Sequence, residues 1–213
     1  MRSFRHWTPR YILSRIIERR YRRLNPGLPW LTQTANAILP DYLLPTDVGL
    51  ELGSGRSTLW FAQRVASLTS IEHNPEWYAR VRGWLEEEHV TNVDYQLHPA
   101  EDGAGSETPP AYVRAVENIP IASLDFALVD GIYRDLAALA VLPRLKPGGV
   151  LIIDNANLYL PCGSHAPNSR HAADGPAGPQ WADFLEHIAG WRRFWTGNGV
   201  SDTAFFFRPP SSG

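Results

Sequence analysis

From about residue 46 onward, short runs rich in Val, Ile, Leu and Phe alternate with segments whose apolar residues return every three or four positions. Runs at 48–52, 67–72, 92–97, 124–130 and 150–154 read as strands, each followed by a turn or a helical signal. One helix is well marked. Asn74 is a capping residue, Pro75 suits the first helical position, and Trp77, Val81, Trp84 and Leu85 form an apolar stripe. A second is predicted over about 133–142, closed by Pro143 and the Pro147-Gly148-Gly149 turn. Strands alternating with helices in this way predict an α/β domain built on a mostly parallel sheet covered on both faces. Near the C-terminus, 181–188 reads as helix, and 191–196 and 203–207 as two strands joined at Gly197-Asn198-Gly199, an antiparallel hairpin added to the sheet. Between them, 157–180 carries Pro161, Pro167, Gly175, Pro176, Gly178 and Pro179 with almost no periodicity, the composition of a lid or of a disordered loop.

The first 45 residues differ from this body. Tyr11, Ile12, Leu13, Ile16, Ile17, Tyr21 and Leu24 recur at helical spacing, with Arg15, Arg19, Arg22 and Arg23 on much of the remaining circumference, and Asn25-Pro26-Gly27 then breaks the pattern. Such a basic helical arm either touches anionic lipid or an acidic partner, or packs on the domain with its arginines in water; the second is the commoner arrangement and the one expected. The composition sets wider bounds. In 213 residues, 44% are hydrophobic and 20% charged, which describes one globular domain, here taken as 46–213 with the arm at 1–45. The lone Cys162 excludes a disulfide framework or a multi-thiolate metal site. No apolar run approaches the roughly 18 residues of a membrane span, and arginines interrupt every candidate secretory-signal stretch, so a cytoplasmic protein, at most peripheral to a membrane, is expected. Eight of the 20 basic side chains fall within the first 24 residues, alongside only Glu18, which leaves the body acidic; nucleic-acid binding through the main domain is not expected.

The most informative stretch is Glu51-Leu52-Gly53-Ser54-Gly55-Arg56-Ser57-Thr58, a strand end, a glycine turn and a helix start. Gly53 and Gly55 let backbone approach a ligand that a side chain would exclude, while Ser57 and Thr58 sit where the first helical N–H groups are unpaired. Glu72 ends the next strand, where an acid accepts hydrogen bonds from a ribose diol, and His73 follows it. The ligand is therefore read as a nucleoside. A dinucleotide fingerprint wants a third glycine where Thr58 stands, and Glu51 would repel a pyrophosphate. S-adenosylmethionine carries instead an ammonium and a carboxylate, which suit Glu51 and the helix start.

At these residues the chain resembles the class I S-adenosylmethionine-dependent methyltransferases, from about Thr46 to the C-terminus. Glu51-Leu52-Gly53-Ser54-Gly55 is similar to the family's first motif and Glu72 to its ribose-binding acid. Leu124-Asp125-Phe126-Ala127-Leu128-Val129-Asp130-Gly131 resembles the fourth-strand motif, and Leu145-Lys146-Pro147-Gly148-Gly149 the turn into the fifth strand. The resemblance implies a Rossmann-like, doubly wound, seven-stranded sheet with an antiparallel last strand. With it, Glu51, Gly53, Ser54, Gly55, Ser57, Thr58, Glu72, His73, Glu101 and Asp130 are the candidate contacts of S-adenosylmethionine.

Asp130 and the Asp154-Asn155 pair end the fourth and fifth strands at one sheet edge, a plausible partial shell for Mg²⁺. They look like the ligand positions of the metal-dependent O-methyltransferases related to catechol and caffeoyl-coenzyme A methyltransferases, although Tyr133 replaces that family's lysine. Candidate catalytic residues are Asp130, Tyr133, Asp154 and His165, with His171 a further base and Arg170 able to hold an anionic acceptor; Trp30, Tyr159 and Trp181 are candidates to line its pocket. The function expected is methyl transfer to a small-molecule acceptor, more readily to a hydroxyl oxygen than to nitrogen or carbon. The alternatives are a nicotinamide-dependent oxidoreductase and a catalytically silent nucleoside-binding module directed by its basic arm.

Overall fold

The structure, a computed structural model, describes residues 8–100 and 108–211. Seven strands form one sheet: β1 Val48–Leu52, β2 Ser67–Glu72, β3 Val93–Leu97, β4 Leu124–Val129, β5 Leu145–Asp154, β6 Arg192–Gly197 and β7 Asp202–Phe207. Their spatial order is β3-β2-β1-β4-β5-β7-β6. β1 to β5 pair in parallel, and β7 runs antiparallel to both β5 and β6, so this is the expected α/β, Rossmann-like sheet with its antiparallel C-terminal hairpin.

Among the described residues, seven α-helices accompany the sheet: α1 Pro9–Leu24, α2 Gln33–Tyr42, α3 Arg56–Ala62, α4 Pro75–Glu87, α5 Ala111–Arg114, α6 Arg134–Val141 and α7 Pro179–His187. The period-two geometry of the strands divides the core in two. Phe126, Leu128, Val150 and Ile152 meet Leu39 of α2 and Trp60 and Phe61 of α3 on one face. Ala127, Val129, Leu151 and Ile153 meet Tyr112 of α5, Ala138 of α6 and Phe184 of α7 on the other. Both faces being covered, the central strands are near-continuous hydrophobic runs. As the sequence predicts, Asn74 caps α4, accepting from Trp77 N at 2.9 Å ahead of Pro75.

Three features depart from the expectation. α2 went unpredicted, because Pro40 in its last turn and the breakers before it mask the burial of Ala35 and Leu39. β5 begins five residues early: Leu145 already pairs with Leu124, and a register shift before Phe126 absorbs the Lys146-Pro147-Gly148-Gly149 turn. The third is the facing of α1. Its buried residue is Glu18, held by Arg15 at 3.1 Å and Arg22 at 2.5 Å, while Ile12, Leu13, Ile16, Ile17 and Leu24 stand exposed. The aliphatic stripe therefore faces water and not the domain. No helix of the described residues is long and apolar enough to cross a membrane.

Gly49 lies flat under the Phe126 ring, where an added Cβ would sit 2.1 Å from Cζ. Gly49→Ala is expected to cost about 1–3 kcal/mol through overpacking. A denaturant titration should show a lower midpoint at unchanged slope, and an unmoved midpoint would mean that the core yields there.

Candidate active site

The carboxyl ends of β1, β2, β4 and β5 emerge at one sheet edge, and the loops that follow them build the site. Gly53, at φ +95°, takes a backbone conformation that side chains rarely adopt, and a Cβ on it would meet Gly131 N at 2.5 Å. The turns after β1 and β4 thus touch backbone to backbone, joined also by Asp130 N donating to Leu52 O at 2.8 Å. Gly55 is buried, and an added Cβ there would make only ordinary contacts, at 3.9 Å, with Ser57 and Trp77.

Beneath the turn lies Glu51, fully buried. Thr58 and Ser70 donate to its Oε2 at 2.6 and 2.7 Å, and its Oε1 has no partner. Burial pushes its carboxyl up to about 7, only partly offset by the hydroxyls of Ser57, Thr58 and Ser70. Thr58 also accepts from Gly55 N at 2.9 Å, so the residue that breaks the dinucleotide fingerprint ties Glu51 to the glycine turn.

Glu72 organises the other wall. Its Oε2 accepts from Ser54 N at 3.0 Å and Ser54 Oγ at 2.7 Å, and its Oε1 from His73 N and Asn74 N, each at 2.8 Å. Ser54 Oγ is also 2.7 Å from the Tyr95 hydroxyl, and Trp77 Nε1 donates to Ser54 O at 2.7 Å. Together Gly53, Ser54, Glu72, His73, Trp77 and Asp130 line a cavity of about 460 Å³.

At the far side stand the predicted acids, joined by a residue that the sequence did not single out. The Arg134 guanidinium donates from Nε to Gly131 O at 2.9 Å and from Nη2 to Asp130 O at 2.6 Å and Asp130 Oδ1 at 2.8 Å. From Nη1 it donates to Asp154 O and to Asn155 Oδ1 at 3.3 Å. All five of its N–H groups are used. The Asp154 carboxylate is buried and accepts from Thr203 Oγ1 at 2.8 Å; burial, and then the Asp130 charge, push it up to about 7. Burial also raises Asp130, with Arg134 opposing.

Asp130, Asp154 and Asn155 therefore do converge, but not as a fit for Mg²⁺. A fixed cation already binds Asp130 Oδ1 and Asn155 Oδ1, and Asp154 directs its carboxylate to Thr203. Among the described residues no group of three or more His, Cys, Asp or Glu is placed to hold a metal ion.

Of the other predicted residues, Ser57 and Thr58 lie buried beside Glu51 at the start of α3. Tyr133, in left-handed conformation, packs its ring against the core, outside the cavity lining. His165 is exposed and lines a separate cavity of about 420 Å³ with Arg10, Cys162, Arg193 and Asp202. His171 is exposed, and its backbone N–H is held by Asp174 Oδ2 at 2.7 Å. Arg170 is committed to the loop itself, donating to Gly175 O and Asp174 O at 2.6 Å each. Trp181 is a core residue stacked on Tyr159, and Trp30 is exposed beside Arg22. Glu101 lies outside the described residues.

Comparison with known proteins identifies the family and the fold. A family model described as a methyltransferase domain matches residues 50–156, half of the chain. The chain belongs to the class I S-adenosylmethionine-dependent methyltransferases, and it is a methyltransferase that uses that cofactor. No curated protein matches it in sequence. Similar solved structures include an rRNA methylase from Streptococcus thermophilus, with TM-score 0.54, 12% identity, and coverage of 83% of this chain and 95% of that one. A methyltransferase from Geobacter sulfurreducens gives 0.52 and 13% over 92% and 88%. A Streptococcus mutans protein in complex with S-adenosylhomocysteine gives 0.52 and 12% over 80% and 96%. The family assignment answers the oxidoreductase alternative.

Because Glu51 keeps its proton to about pH 7 when folded, against an ordinary value of 4.5, the folded protein binds more protons than the unfolded chain between those values, and stability falls as pH rises through that window. Glu51→Gln keeps an acceptor for Thr58 and Ser70 and removes the penalty. In thermal melts of the ligand-free protein its advantage over the parent should therefore grow from about pH 5 to about pH 8. A difference independent of pH would place an ordinary carboxyl there.

Proposed function

We propose that the enzyme moves the sulfonium methyl group of S-adenosylmethionine to a hydroxyl oxygen of a small-molecule acceptor, with Asp130 receiving the hydroxyl proton. The observation that carries this reading is the placement of a half-buried carboxylate, 30% exposed, in the same cavity as the Gly53 turn and Glu72. In this reading the adenosyl group lies across Gly53–Gly55 and the ribose diol donates to Glu72. The oxygens of Glu72 are already supplied by the chain, so the diol takes the place of the Ser54 hydroxyl, which keeps its contact with Tyr95. The methionine ammonium lies over the turn above Glu51, a cation that would lower the cost of ionising this buried acid. Gly55, Ser57 and Thr58 hold the turn that admits the cofactor.

The reaction is an in-line displacement. The acceptor oxygen attacks the methyl carbon, the carbon–sulfur bond breaks with its electron pair going to sulfur, and S-adenosylhomocysteine leaves. The hydroxyl proton passes to the Asp130 carboxylate, which later returns it to water. Desolvation makes Asp130 a stronger base than an ordinary carboxylate, and Arg134 fixes its orientation. Asp154, behind it, adds negative charge that favours protonation of the pair. No step is routed through a metal.

Asp130→Asn should lower turnover at least about 100-fold while S-adenosylhomocysteine affinity stays within a few-fold, measured on an acceptor found by screening hydroxyl compounds. Unchanged turnover would remove Asp130 as the base, and an amine acceptor would remove the oxygen assignment. Glu72→Ala should weaken S-adenosylhomocysteine binding by about 1–3 kcal/mol in titration calorimetry. Unchanged affinity would place the ribose elsewhere.

A further inference from the structure

The 16-residue helix α1 is about 24 Å long and packs on the domain in the reverse of the usual sense. Its inner face is polar. Glu18 is 4% exposed and neutralised by Arg15 and Arg22, and Ser14 lies against the β6–β7 turn, where a Cβ on Gly199 would meet its Oγ at 2.5 Å. Its outer face carries Ile12, Leu13, Ile16, Ile17 and Leu24, which are 42, 59, 58, 50 and 69% exposed. Exposing five large aliphatic side chains on one helix is unfavourable in water and calls for a cover.

The charges on that face identify the cover. Arg20 and Arg23 share the aliphatic surface, Arg10 and Arg19 flank it, and all four are exposed. Among the described residues, Arg10, Arg19, Arg20 and Arg23 have no acidic partner, and the one acid of the helix is turned inward. A second copy of the chain seated symmetrically on this face would set arginines against arginines. An uncharged apolar groove would leave them buried without counter-charge. An anionic bilayer surface meets both requirements at once: aliphatic side chains enter the acyl boundary while the guanidinium groups reach lipid phosphates.

We infer that α1 is an interfacial helix that docks the enzyme on an anionic membrane surface through Ile12, Leu13, Ile16 and Ile17 flanked by Arg10, Arg19, Arg20 and Arg23. The docking face is turned away from Arg22, whose charge favours ionisation of Asp130.

The test is flotation of the full chain with vesicles of phosphatidylcholine alone and of phosphatidylcholine containing about one third phosphatidylglycerol. The parent protein should float with the anionic vesicles and remain behind with the neutral ones, and raised salt should release it. Ile16→Asp with Ile17→Asp, and separately Arg19→Glu with Arg20→Glu, should each weaken vesicle binding at least about tenfold. Both variants should keep the parent's circular dichroism and S-adenosylhomocysteine affinity, because none of these side chains touches the domain core. Failure of the folded parent to bind anionic vesicles would overturn the inference. So would a dimer in sedimentation velocity that the Ile16→Asp, Ile17→Asp variant dissolves, since the face would then be a contact between chains.

Discussion

The site is organised around one guanidinium. At the tips of two neighbouring parallel strands the chain places Asp130 and Asp154, acids that would repel each other in a region poor in water. Arg134 stands between the strand ends with every N–H group engaged, to three backbone carbonyls and two side-chain oxygens. A planar fork can satisfy several acceptors in fixed directions at once, which a lysine ammonium cannot. The clasp continues beyond β5. Thr203 of β7 donates to Asp154, Thr32 N donates to Thr203 Oγ1 at 3.2 Å, and the hydroxyls of Thr32 and Thr196 meet. One hydrogen-bonded path thus runs from the cavity wall through β5 and the C-terminal hairpin to the cap of α2.

On the other side of the cavity Glu72 does similar work with the opposite charge. It gathers the amides after β2 and the Ser54 turn after β1, so the loops lining the cavity are held in position by the chain's own hydrogen bonds. An open cleft between a carboxylate-organised wall and a guanidinium-organised wall suits a ligand that carries both a diol and a cation. Methyl transfer needs no covalent intermediate with the protein, so alignment of two bound molecules and one proton acceptor is sufficient chemistry.

The strands were legible because burial on both faces leaves runs of Val, Ile, Leu and Phe that few other contexts tolerate, and the glycine turn because Gly53 occupies a conformation other residues avoid. The cavity-lining residues Gly53, Ser54, Glu72, His73 and Asp130 were legible from the glycine turn and the strand ends together with the family resemblance. What could not be read depended on direction. Periodicity marks α1 as a helix but does not say which side meets the domain, and here a buried, doubly paired Glu18 outweighs the aliphatic stripe. Asp130, Asp154 and Asn155 suggested a metal shell because sequence shows where acceptors end strands and not which donor reaches them. Arg134, four residues beyond Asp130, was the available signal. His165 was suggested by residue type in a long loop, and the hydrogen bonds of Asn157 and Arg170 carry that loop to a different cavity.

Arg134, and not a divalent cation, balances the acids beside the cavity. This is measured by calorimetric titration of S-adenosylhomocysteine into protein stripped with chelator and then dialysed free of it, followed by Mg²⁺ into the resulting complex. Micromolar nucleoside binding to the metal-free protein, with no stoichiometric heat from Mg²⁺, is the expected result. Binding that appears only once Mg²⁺ is supplied, or a one-to-one Mg²⁺ isotherm, would contradict it.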